Sequence, residues 1–263
     1  MELGLKDRVA AVAAASQGLG FAAARRFALE GARVGICSRS QKNIDAAARR
    51  IENETGTEVF GLVAELSNAD EATGFVDAVA GHFGGLDVLV TNAGGPPPGG
   101  FEEIGEVEVR RAFDLTLMST IAMIKAAVPH MRKRSWGRVV NILSLTVKQP
   151  ELTLLMSNTM RTALVGYTKS VSTELAPENI LINNVAPGYT RTERLGELAD
   201  DLAARGETSA DEIFAGWEER IPMGRLGRPE ELANVIAFLA SEGGSYVTGV
   251  TLQVDGGYVK GLL

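Results

Sequence analysis

Ala13-Ala14-Ala15-Ser16-Gln17-Gly18-Leu19-Gly20 is the stretch on which the reading of this chain turns. It follows an apolar run at 8–13 and opens a helical stretch at 20–29. A short strand that passes through a glycine-containing turn into a helix is the first half of a β–α–β unit. Glycine lets such a turn tighten, and the N–H groups of the helix's first turn then face outward together. Grouped N–H donors at a helix start suit a diphosphate. The turn residues Ala14, Ser16, Gln17, Gly18, Leu19 and Gly20 are therefore a candidate nucleotide cradle. The spacing G-x-G-x-x-G is absent, so the turn by itself identifies nothing further.

The alternation continues to the end of the chain. Strand-like runs fall at 33–37, 59–63, 88–91, 137–143, 181–186 and 251–254. Helical periodicity falls between them at 43–55, 69–82, 107–131 and 159–175. Several strands are apolar on both faces, as parallel strands covered by helices on each side must be. The predicted fold is α/β, a Rossmann-type doubly wound parallel sheet of about seven strands with helices on both faces. One domain spans 1–263, and the stretch at 189–228 breaks the rhythm as a helical flap. The Gly/Pro run from Gly94 to Gly100 reads as a loop.

Composition narrows the function. The 263 residues carry 26 Lys+Arg and 33 Asp+Glu, a net charge of −7. That balance argues against a nucleic-acid partner. One cysteine, Cys37, excludes an intramolecular disulfide framework, and two histidines leave little for a metal site. No signal peptide and no apolar run of membrane-spanning length is read, so the expectation is a cytoplasmic protein without a membrane partner. His82 and His130 fall at helix ends, Cys37 reads as a small buried strand residue, and Trp136 as packing where the chain enters the fifth strand.

Further motifs stand in order. Thr91-Asn92-Ala93-Gly94 closes the fourth strand, and Gly137 to Ser144 carries the fifth. Asn183-Asn184-Val185-Ala186-Pro187-Gly188 closes the sixth, Gly224 to Glu231 precedes the last helix, and Gly249 to Gly257 closes the chain. In this order the chain resembles the short-chain dehydrogenase/reductase family, and its 3-oxoacyl-carrier-protein reductase branch, over essentially its whole length. The resemblance implies an oxidoreductase acting on a carbonyl or acyl small molecule, in a homodimer or homotetramer built on the helices at 107–131 and 159–175. It implies that Gly18 and Gly20 match the family's glycine motif while Ala13 and Ala14 replace its first two residues. A methyl at Ala14 is tolerable there if its φ is negative. It further implies that Asn92, Ala93 and Gly94 line the adenosine side of a cofactor, and that Pro187, Gly188, Thr190 and Thr192 lie beside the nicotinamide.

Charge favours NADP (NADPH) over NAD. NAD-binding folds place an acid at the end of the second strand. Here Ser38 stands there, followed by Arg39, which leaves room for a 2′-phosphate and a guanidinium to pair with it.

The resemblance also implies a catalytic Asn, Ser, Tyr and Lys. Ser144 matches the serine. The positions of tyrosine and lysine hold Ser157 and Arg161, and the asparagine falls at Asp114. A serine hydroxyl is a far weaker acid than a phenol, and arginine does not exchange protons at neutral pH. Tyr167, ten residues beyond Ser157, is about 80° off its helical face and about 15 Å further along, so it reads as a packing or interface aromatic. Lys148, four residues after Ser144, is the candidate replacement proton donor. In the flap, Phe214 and Trp217 share a face and suit either an apolar pocket wall or a solvated cover. A protein that binds NADP as a sensor or scaffold, and a non-redox enzyme on the same fold, stay open as alternatives.

Overall fold

The structure, a computed structural model, describes residues 2–206 and 208–262. Met1, Leu263 and Glu207, one of the flap's acids, lie outside the described residues. The strands are β1 (Val9–Val12), β2 (Arg33–Ser38), β3 (Val59–Val63), β4 (Val88–Thr91), β5 (Gly137–Ile142), β6 (Ile180–Pro187) and β7 (Thr251–Val254). They form one sheet in the order β3-β2-β1-β4-β5-β6-β7, with every pairing parallel. The chain steps outward to β3 and then returns to pair β4 with the other side of β1. A crevice opens outside the carboxyl ends of strands at such a reversal.

Alternation along β1 sorts its side chains onto two faces. Ala10 and Val12 join a core with Phe27, Ile44, Ile51 and Ile236, under α1 (Gly18–Leu29), α2 (Gln41–Thr55) and α9 (Pro229–Leu239). Val9 and Ala11 join a second core with Phe75, Val79, Met123 and Met131, under α3 (Ala69–Phe83) and α5 (Ser119–Arg134). Each fully buried large side chain contributes roughly 1.5–3 kcal/mol. α6 (Leu155–Leu175) begins four residues before its predicted start. Tyr167 packs on the second core from this helix, as its spacing predicts.

The predicted helix at 107–131 proves composite. α4 (Glu106–Ala112) runs through a π turn (Phe113–Met118) into α5. The 29-residue span Glu106–Arg134 is long and apolar enough to cross a membrane, contrary to the sequence reading. Its α5 half is instead packed against α3 and β5. The flap contains α7 (Glu193–Arg205) and α8 (Ala210–Arg220). Their apolar sides close a third cluster with Leu145, Leu195, Trp217, Ile221 and Tyr258. Trp217 stacks on Tyr189 at 4.8 Å and meets Phe214 edge-on at 5.5 Å, so these aromatics fill one another's space.

The amino ends of the strands are tied by charge. Asp87 is fully buried and accepts from the Val9 N–H at 2.8 Å, Arg8 at 3.1 Å and Arg134 at 3.1 Å. Trp136 lies beneath the guanidinium groups of Arg8 and Arg138 at 3.9 and 4.2 Å, and donates to Glu242 at 2.8 Å. Cys37 is buried in β2, and burial pushes its thiol up to about 12. Asp87→Asn removes the charge that two arginines share. It is expected to cost about 3 kcal/mol, read as a lower urea midpoint at unchanged slope.

Candidate active site

The turn after β1 is stitched to its neighbours by backbone. Ala13 N–H donates to Val90 O at 3.0 Å and Ala15 N–H to Cys37 O at 2.9 Å. Asn92 Nδ2 donates to Ala14 O at 3.3 Å, which brings the end of β4 against the turn. Gly20 sits so close that a Cβ would lie 2.5 Å from Ala14 O, and Gly18 has φ +60. Gln17 supplies no side-chain cap to α1, whereas Ser40, Asn68 and Thr192 cap α2, α3 and α7. The first N–H groups of α1 are thus left for a ligand, and a dinucleotide diphosphate fits this cradle.

One expectation fails here. Ala14 has φ +48, in the left-handed region, where a methyl costs roughly 1–2 kcal/mol. The hydrogen bonds on either side of Ala14 impose that conformation on a residue that glycine suits better.

Ser16 lies in the turn and Leu19 in the first turn of α1, both half-buried. Ser38 is buried at the end of β2 and donates to Ser40 O at 3.1 Å, while Arg39 is exposed beyond it. Glu65, which the sequence reading missed, lies at the end of the adjacent β3. Its burial opposes ionisation, but the N–H and hydroxyl of Ser67 and the charges of Arg39 and Arg111 hold its carboxyl below the usual range. A carboxylate just past a strand that pairs with β2 was the available signal. Ala93 and Gly94 continue from Asn92. Pro187 closes β6, and Gly188 N–H donates to Val254 O at 2.9 Å. Thr190 is buried and donates to Gly188 O at 3.2 Å. Thr192 caps α7 and would stand 3.6 Å from a Cβ on Gly18, so the cradle and the flap meet. A cavity of about 520 Å³ opens beside Gly18 toward Phe21, Arg25, Arg50 and Arg191, away from Ser144.

The predicted catalytic residues converge in part. Ser144 caps a short turn, Leu145–Val147, through a 3.2 Å bond from the Thr146 N–H. Ser157, buried on α6, lies 3.3 Å from Thr146 Oγ1. Thr146 therefore links Ser144 to Ser157, and the sequence reading passed over it because it sought only a phenol. Arg161, one turn beyond Ser157, is 8% exposed. Its Nη1 donates to Ile142 O at 3.2 Å and to Leu143 O, and its Nη2 to Gly94 O at 2.6 Å. Its buried Nε has no hydrogen-bond partner among the described residues. Burial, with the charge of Arg194, pulls its pKa down to about 10, so it stays charged at neutral pH. Lys148 follows Thr146 by two residues and makes no ion pair among the described residues. Asp114 is not brought to this group: it is exposed on the π turn, and Thr116 is the buried polar residue of that segment. The extra residue in the π turn rotates the face that a regular helix would present.

A parallel sheet of this order with a glycine cradle at its reversal point is the arrangement of dinucleotide-binding α/β folds. The chain matches the family profile described as Enoyl-(Acyl carrier protein) reductase over residues 13–259. It is 38% identical to a tropinone reductase-like 3 of Erythroxylum coca over 96% of this chain and 93% of that one. It is 32% identical to a 3-oxoacyl-[acyl-carrier-protein] reductase of Aquifex aeolicus, covering 98% and 99%. The L-sorbose reductase of Gluconobacter frateurii, solved with NADPH and L-sorbose, superposes with a TM-score of 0.94 at 30% identity over 100% of both chains. The chain belongs to the short-chain dehydrogenase/reductase family.

The strain at Ala14 is testable. Ala14→Gly is expected to stabilise the protein by about 1 kcal/mol, a rise in Tm of roughly 2 °C by calorimetry. An unchanged or lower Tm would remove the strain argument.

Proposed function

We propose that this protein is an NADP(H)-dependent oxidoreductase of a small carbonyl or alcohol substrate, similar to 3-oxoacyl-carrier-protein reductases but with a rebuilt acid–base group. The observation that carries the reading is the uncapped Gly18–Gly20 turn beside Ser38 and Arg39, with no acid at the end of β2. Solved relatives point the same way: the L-sorbose reductase structure contains NADPH, and YwfH, described as an NADPH-dependent reductase of bacilysin biosynthesis, has a TM-score of 0.92 at 31% identity.

The α1 N–H groups would take the diphosphate, Ser38 and Arg39 the 2′-phosphate, and Asn92, Ala93 and Gly94 the adenosine side. Pro187, Gly188, Thr190 and Thr192 would border the nicotinamide, and Arg161 its ribose. When bound, the reduced cofactor supplies hydride. The chain's own task is to hold the substrate oxygen and deliver a proton to it. Ser144 Oγ orients the oxygen. The Thr146–Ser157 hydroxyl pair extends that contact, and the fixed charge of Arg161 stabilises negative charge as it develops. The Lys148 ammonium gives up the proton and recovers one from solvent. A homodimer or homotetramer is supported by the exposed apolar residues Val107, Val109 and Phe113 along α4 and its π turn.

A second reading, NADP binding without turnover, draws on one observation: no tyrosine hydrogen-bonds to Ser144, Ser157 or Arg161 among the described residues. Two measurements separate the readings. NADPH is expected to bind more tightly than NADH in calorimetric titration, and Arg39→Ala is expected to weaken NADPH about tenfold or more while sparing NADH. Equal affinities in the wild type would refute the NADP assignment. With a confirmed carbonyl substrate, Lys148→Met is expected to lower kcat by about 10²-fold or more at unchanged NADPH affinity. Unchanged turnover would remove Lys148 from the chemistry, and no turnover of any carbonyl would favour the sensor.

A further inference from the structure

We propose that Glu151 is a positioning residue of this site. Acting through Tyr258 and Arg220, it fastens the flap to the loop that carries Ser144 and Lys148, so that closure of the cleft depends on one carboxylate.

Glu151 stands between the turn Leu145–Val147 and the start of α6. One side chain clasps its backbone: Asn158 Nδ2 donates to Glu151 O at 2.9 Å, and the Glu151 N–H donates to Asn158 Oδ1 at 3.4 Å. Asn158 is the neighbour of Ser157, so this end of the loop is tied to the helix turn that bears the buried hydroxyl. The other end is tied by the Ser144–Thr146 bond and by Leu145 in the third cluster.

The carboxylate of this pinned loop meets two other segments. It accepts from the Tyr258 hydroxyl, beyond β7, at 2.6 Å and lies 3.6 Å from Arg220, at the end of α8. Arg220 Nη2 also donates to the Tyr258 hydroxyl, and its guanidinium lies 4.9 Å from the centre of that ring. The three side chains thus contact one another pairwise. Tyr258 is buried, and burial together with Glu151 pushes its phenol up, so it stays a donor. Its ring meets Tyr189 edge-on at 5.2 Å, and Tyr189 stacks on Trp217 of α8.

The remainder of this joint is apolar, with Leu145, Leu195, Trp217 and Ile221, and packs without a carboxylate. The Glu151 side chain is 19% exposed, and such a charge is costly unless its partners are in place. Those partners come from α8 and from the segment after β7, so they converge on Glu151 with the flap laid on the loop. Arg220 is half exposed, so its charge can return to water when the contact opens. Among the described residues, the other ion pair between a flap helix and residues outside 189–228 joins Arg205 to Glu103 at 3.2 Å; it is exposed on both sides and worth little.

Hydrogen exchange followed by mass spectrometry on the cofactor-free protein reads the cover without turnover. In Glu151→Gln and in Tyr258→Phe, the amides of α7 and α8 are expected to exchange about tenfold or more faster than in the wild type, with rates flat in low urea, as a local opening requires. The double variant Glu151→Gln/Arg220→Gln is expected to stay within about twofold of the faster single one, because both break the same contact. Unchanged exchange in α7 and α8 overturns the proposal. So does an acceleration that climbs with urea in step with β1 and β4, which makes Glu151 a general stabiliser, and so do additive effects in the double variant. With a confirmed carbonyl substrate, Glu151→Gln is expected to raise KM about fivefold or more with kcat within about twofold. A fall in kcat at unchanged KM gives Glu151 a part in the chemistry instead and overturns the fastening role. Only this kinetic arm rests on the function proposed above: if no carbonyl is turned over, that function falls, and exchange in the cofactor-free protein still decides the role of Glu151.

Discussion

A guanidinium group held by three carbonyl oxygens joins the ends of two strands in this protein. Arg161 reaches from α6 to Gly94 beyond β4 and to Ile142 and Leu143 at the end of β5. The three carbonyl oxygens converge on one guanidinium at the carboxyl ends of these strands, so their negative ends are concentrated there. A flexible ammonium with three donors would balance that field and remain free to move. The planar fork of arginine is spent on the backbone instead and becomes part of the floor. The charge is therefore permanent, fixed in position and unable to relay protons, and the rest of the site has to be built around it.

Beneath that floor runs a chain of uncharged groups. Thr91 donates to Asn141 at 2.7 Å, and Asn141 donates to Asn184 at 2.9 Å and Thr168 at 3.1 Å. Asn184 donates to Thr251 at 3.0 Å, so the network crosses β4, β5, β6 and β7 and anchors α6. Thr91, Asn141, Thr168 and Asn184 are buried, Thr251 is half-buried, and the groups satisfy one another, the condition under which a polar network rigidifies a core. Ser157 and Arg161 project from the helix that this network fixes.

Much of the fold was legible because strand and helix periods differ. The strands at 59–63, 88–91 and 251–254 fall where the alternation put them, and the others shift by one residue at one or both ends. The site was legible where it depends on backbone, as at Gly18, Gly20 and Gly188, because steric needs show in residue type. It was less legible where phase matters. A π turn adds a residue without changing the hydrophobic pattern, so the asparagine position that the resemblance puts at Asp114 is exposed, and Thr116 is the buried polar residue. Ala14 hid its positive φ because the hydrogen bonds that impose it come from β2 and β4, far away in sequence. The surroundings of Arg161 were invisible for the same reason: its partners lie at the ends of two different strands.

The placement of the two tryptophans has its own consequence. Trp136 lies at the amino end of the sheet under two guanidinium groups, and Trp217 lies in the flap against Tyr189. Cations close over an indole and an aromatic stack alter its excited state in different ways, so the protein carries two intrinsic optical probes in unlike surroundings. One reports on the closed end of the sheet and the other on the cover of the cleft. Removing either leaves a single-tryptophan protein in which movement of the flap and loosening of the core are separate signals.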